Sequence, residues 1–143
     1  MLRPFLLAAS STTLLWVSGC ASSSGTSALS ASEAALNIGF VLYTESGKPG
    51  TLNARWNYSN AYSGPGEAAG GPTTGGFAGR YHVRYFLENG EFSDEYNLVI
   101  ERHGAGDFYD VTWLVDDKVS ARGVGMEVAN GKSLAVGWRR VTD

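Results

Sequence analysis

The side chains best suited to chemistry in this chain are aromatic. Trp56, Trp113 and Trp138 fall on the same phase of an alternating apolar and polar pattern as Tyr58, Tyr81, Tyr85, Tyr96 and Tyr109. In β-strands that phase places them all on one face. Flat, polarisable rings suit an apolar or aromatic partner, and phenol hydroxyls need hydrogen-bond partners once buried. Trp56, Tyr58, Tyr81, Tyr85, Trp113 and Trp138 are therefore the candidate ligand-binding residues.

Other reactive residue types do not assemble into a site. His82 and His103 are the only histidines, and no second His, Cys or acidic residue stands at metal-ligand spacing from either. Glu88 with Glu91, and Asp116 with Asp117, flank turns where carboxylates are solvated, and nothing suggests the burial that general-acid work would need. Gly131-Lys132-Ser133 has the ending of a phosphate loop, but Gly125 stands one position too far upstream and a strand pattern follows. The chain thus reads as a non-enzyme with no metal and no cofactor. Arg80, Arg84, Arg102, Arg122, Arg139 and Arg140 read as outer-face or strand-end residues, pairing across strands with Glu95 and Glu101. With 14 acidic against 11 basic residues, no basic stripe is available for nucleic acid.

The elements that must position the aromatics are strands. A short apolar run, Asn37 to Tyr43, gives the first. Thr51 to Ser59 gives the second, with Leu52, Ala54, Trp56 and Tyr58 inward. From Gly79 a meander runs to Trp138: Tyr81, Val83, Tyr85 and Leu87 inward, then Tyr96, Leu98 and Ile100, then Tyr109, Val111, Trp113 and Val115, then Val119 to Glu127, then Leu134, Val136 and Trp138. Asn89-Gly90 and Asn130-Gly131 are hairpin signals, the first expected to hold both residues at positive φ. Gly123 and Gly125 suggest a bulge or bend. Between the second strand and the meander, residues 59–78 are rich in Gly and Pro and read as a disordered or mobile flap.

A long meander with one apolar face must hide that face and its edges, and no amphipathic helix is available to cover it. The expected fold is all-β: an antiparallel up-and-down barrel of seven to eight strands, with a two-sheet sandwich as the alternative. Leu52…Trp56 and Leu134…Trp138 share a spacing, which suggests that these early and late strands are neighbours across the seam. In its meander and its Gly-plus-aromatic strands, such as Gly79-Arg80-Tyr81, the domain faintly resembles lipocalin- and avidin-type barrels.

The N-terminus carries an address. Arg3 precedes an apolar stretch from Phe5 to Val17, too short for a comfortable membrane span, so residues 1–19 read as a signal peptide. Val17-Ser18-Gly19-Cys20 resembles the lipobox of bacterial lipoproteins. That resemblance implies cleavage before Cys20, lipidation of its thiol, and a cell-envelope protein anchored by lipid. Ala21 in place of Asp implies the outer membrane, facing the periplasm, where the source has one. Cys20 is the only cysteine, so the exported domain holds no disulfide. Residues 20–36, nearly all Ser, Ala, Gly and Thr after the Cys, read as a tether, with one helical turn possible from Ser32. Residues 37–143 form the β domain. The expected function is binding of a small apolar or aromatic ligand, or an envelope component, in the barrel mouth beside the Gly-rich flap. The alternative is a protein-interaction module such as an envelope-hydrolase inhibitor. A cavity of a few hundred cubic ångströms would favour the ligand.

Overall fold

In the computed structural model, which describes residues 36–141, eight antiparallel strands follow one another around a closed barrel. They are β1 (Gly39–Glu45), β2 (Leu52–Tyr58), β3 (Tyr62–Ala69), β4 (Gly79–Phe86), β5 (Phe92–Arg102), β6 (Phe108–Val115), β7 (Lys118–Val128) and β8 (Ser133–Arg140). Each pairs with its neighbour in sequence, and β1 closes on β8, so no edge is left open and the sandwich is excluded. The expected signal peptide, the lipobox-like Val17–Cys20 and the helical turn expected from Ser32 fall on residues outside the described ones.

Residues 59–78 are not one long flap. Ser59 and Asn60 both take positive φ and Ala61 N–H donates to the Tyr58 carbonyl, so β2 turns directly into β3. This strand escapes sequence detection because its inward positions are Gly64, Gly66 and Ala68, with no bulky side chain to mark the alternation. The smallness is a packing requirement. A Cβ on Gly64 would overlap the Phe86 carbonyl, and one on Gly66 would crowd the Tyr85 ring. Pro65 stands where β3 and β4 part company, since their pairing begins only at Gly66 with Tyr85. The Trp56 indole N–H lies across this gap, donating to Pro65 O at 3.2 Å and Phe86 O at 3.0 Å.

The inward faces follow the expected alternation in every other strand, with corrections at the turns. Val115 is exposed rather than inward, being the last residue of β6 before the Asp116-Asp117 turn. β7 carries an extra residue, Ser120, between the partners of Trp113 and Leu114. That bulge is not at Gly123 or Gly125. Those glycines leave room instead for β8: a Cβ on Gly123 would overlap the Gly137 carbonyl and press on Val136 and Trp138, and one on Gly125 would press on Leu134 and Val136. Gly90 has positive φ but Asn89 does not; Gly90 N–H bonds to the Leu87 carbonyl, a turn in which only the last residue needs the left-handed conformation. The early and late Trp strands are not neighbours: β1 lies between them, with Val41 facing Trp56 on one side and Val136 on the other.

One half of the barrel interior is solid. Tyr43, Val83, Leu98, Ile100, Val111 and Leu134 are fully enclosed there. The end of that half is closed by the segment between β3 and β4, which brings Phe77 under the barrel at 1 % exposure. Phe77 meets the Tyr109 ring edge-on at 6.3 Å, and its carbonyl accepts the Tyr81 hydroxyl at 2.9 Å.

Candidate ligand cavity

The opposite half is hollow. A cavity of about 300 Å³ opens at the end bearing the β2–β3, β4–β5 and β6–β7 turns, lined among others by Trp56, Tyr58, Tyr85, Tyr96, Trp113 and Trp138. Five of the six residues expected from the sequence therefore meet in one place. Tyr81 does not: it belongs to the closed end, bonded to Phe77 and lying where a Cβ on Gly71 would strike its ring. The Gly-rich segment is likewise at the closed end, so it is a plug and not a flap beside the mouth.

The aromatic walls support one another. Tyr58 stacks on Trp138 at 5.1 Å and 16°, and Trp138 leans on Trp113 at 6.0 Å and 47°. Trp56 meets Tyr85 edge-on at 6.0 Å, and Tyr85 tilts against Tyr96 at 6.1 Å. Trp138 owes its place to the glycine opposite it: a Cβ on Gly39, its β1 partner, would overlap the indole. Asn37 fastens the start of β1 to this wall. Its Oδ1 accepts Tyr58 Oη–H at 3.1 Å and Arg140 N–H at 2.8 Å, and its Nδ2 donates to the Arg140 carbonyl at 3.1 Å.

The polar rim was not legible in the sequence. Ser93, Asp94, Ser120 and Arg140 line the mouth. Ser93 and Ser120 are the extra residues where the β4–β5 and β6–β7 registers shift, and such bulges re-aim side chains at barrel rims. Nothing in the local sequence marks either one. The Arg140 guanidinium sits 5.0 Å above the Tyr58 ring, a cation–π contact at the edge of the opening.

At the cavity floor the Tyr85 hydroxyl accepts Trp113 Nε1–H at 2.8 Å and lies 2.5 Å from the Tyr43 hydroxyl. Burial pushes the acidity constants of both phenols well above the ordinary value, so both remain protonated at neutral pH.

The histidines, and the acidic residues other than Asp94, lie elsewhere. His82 pairs with Glu95 at 2.6 Å and His103 with Asp110 at 3.0 Å, both pairs solvent-facing. The partner of Glu95 is thus His82 and not an arginine; Arg84, opposite Glu95 in register, lies over the Phe86 and Phe92 rings. Glu88 takes a bidentate bond from Arg55 at 2.8 and 2.7 Å and a third from Ser63 at 2.6 Å. These bonds hold its carboxyl down at about 2. At the closed end Tyr109 donates to Glu127 beside Arg102; burial and then that carboxylate push its phenol up to about 12. No group of three or more His, Cys, Asp or Glu among the described residues is placed to hold a metal.

Comparison of the chain with family models, curated proteins and solved structures found no match.

Proposed function

We propose that this domain is a non-catalytic binding barrel that takes one small, planar, largely apolar ligand into its aromatic mouth. The observation that carries the reading is the cavity of about 300 Å³ walled by Tyr58, Trp138 and Trp113 above a solid core. Cavities from about this size upward, mostly apolar with a few polar groups, are the usual form of small-molecule sites. The lipobox supports placing the barrel at the cell envelope, tethered through a lipidated Cys20, with the outer membrane facing the periplasm favoured by Ala21.

Native mass spectrometry of protein from its own host, together with tryptophan-fluorescence titration of naphthalene-type probes, tests the ligand. A copurifying mass, or saturable quenching weakened about tenfold by Trp138→Ala, is expected. The absence of both a copurifying mass and saturable quenching would reject the reading. An intact mass starting at Cys20 with acyl groups tests the anchor.

A second reading rests on the outside of the barrel. Phe40 and Leu42 of β1, Val124 and Met126 of β7 and Phe108 of β6 are all exposed, and the intervening β8 positions are Gly137 and Ala135. A continuous apolar face of this kind supports a protein-docking module, such as the inhibitor of an envelope hydrolase. Recovery of a secreted hydrolase with the wild-type protein, abolished by Met126→Glu, is the expected result; recovery unaffected by the charge removes this reading.

A further inference from the structure

The hydrogens at the cavity floor outnumber their acceptors. Three groups there can donate: Trp113 Nε1–H and the hydroxyls of Tyr43 and Tyr85. The bonds they make are two. Trp113 donates to Tyr85 Oη at 2.8 Å, and the two phenol oxygens, 2.5 Å apart, share one hydrogen between them. One O–H is therefore left without an acceptor among the described residues.

Enclosure decides which one. Tyr43 is completely buried and does not line the cavity. Were Tyr85 to donate to Tyr43, the Tyr43 hydrogen would be stranded in the dry core, at the cost of a buried unmade bond. Tyr85 is 7 % exposed and does line the cavity. Tyr43 is therefore the donor of the shared bond, and the hydrogen of Tyr85 is the one turned toward the cavity. A phenol oxygen has two lone pairs. Trp113 and Tyr43 use both, so Tyr85 has nothing left with which to accept.

Resting on the ligand reading above, we propose that Tyr85 Oη–H is a dedicated donor that selects a planar aromatic ligand carrying a neutral oxygen acceptor, a carbonyl, at its buried end. The acceptor is neutral because Arg140, the only cationic side chain among the described residues lining the cavity, is at the rim. An anion at the floor would be desolvated without a counter-charge. The persistence of both phenols in the protonated state is consistent with a neutral donor pair.

The test compares two isosteric probes by equilibrium dialysis: 2-acetylnaphthalene, which presents a carbonyl, and 2-isopropenylnaphthalene, which does not. The wild-type protein is expected to bind the ketone about tenfold more tightly. Tyr85→Phe should lose that preference by weakening the ketone while holding the hydrocarbon within about twofold, and Tyr43→Phe should keep it. Equal affinity of the wild type for the two probes, or a preference that survives Tyr85→Phe, overturns the assignment and leaves the ligand reading intact. Binding of neither probe overturns both. The wild-type comparison needs no variant, so poor folding of Tyr85→Phe would not rescue a failed preference.

Discussion

Replacing Phe77 by Ala separates a plug from a flap. Phe77 sits in the segment between β3 and β4 that composition alone would leave loose, yet its ring is 1 % exposed and meets Tyr109 edge-on. Truncating an enclosed Phe costs about 3–5 kcal/mol, the lost transfer energy plus the cavity left behind. The upper part of that range applies if the edge-to-face contact, worth about 0.5–1.5 kcal/mol, is counted separately. Collapse is restricted here, because the Phe77 carbonyl is held by the Tyr81 hydroxyl and the surrounding strands belong to a closed barrel. In a domain of this size each kcal/mol moves the midpoint by about 4–8 °C, so Phe77→Ala should lower Tm by roughly 20 °C. Urea unfolding followed by circular dichroism should give a lower midpoint with an unchanged slope. Probe affinity at the mouth should change by less than about twofold, since Phe77 does not line the cavity and distant sites act independently. A stability loss under about 1 kcal/mol, the range of surface substitutions, would refute the plug.

Other perturbations test the mouth and the hidden strand. Gly39→Ala should displace the Trp138 indole, shifting tryptophan emission and weakening probe binding about tenfold; adding Trp138→Ala should cost little more, and additive losses would refute the contact. Gly64→Ala should destabilise by about 3 kcal/mol or more, because its Cβ meets the Phe86 carbonyl, a backbone atom that cannot swing aside; a neutral result in urea unfolding would return β3 to a loop. Glu88 is held at about 2 by Arg55 and Ser63, below its ordinary 4.5. Its bonds therefore stabilise the fold fully above the unfolded-state value and are lost as pH falls toward the folded one. The Tm difference between wild type and Glu88→Gln should be constant at neutral pH, shrink below about pH 4.5 and vanish as pH falls through about 2; a difference undiminished at about pH 2 contradicts it.

The alternation of Leu52, Ala54, Trp56 and Tyr58, and its repetition through Tyr81 to Trp138, determined the strands, their inward faces and the need to close. A period of two is set by backbone geometry, and an apolar face must be covered wherever it occurs. The same pattern placed the candidate aromatics indoors, but alternation gives a face and not a height along the barrel. Only the register put Tyr81 at the plugged end and Tyr58, Tyr85, Trp113 and Trp138 around the opening. β3 was illegible because what fills the space above Gly64 and Gly66 comes from another strand, the carbonyl of Phe86 and the ring of Tyr85. The rim residues Ser93 and Ser120 depend on extra residues in pairings between strands, which no single stretch of chain encodes. Local chemistry thus chose the element and its greasy side; what each side chain touches was settled by neighbours brought together when the ring of strands closed.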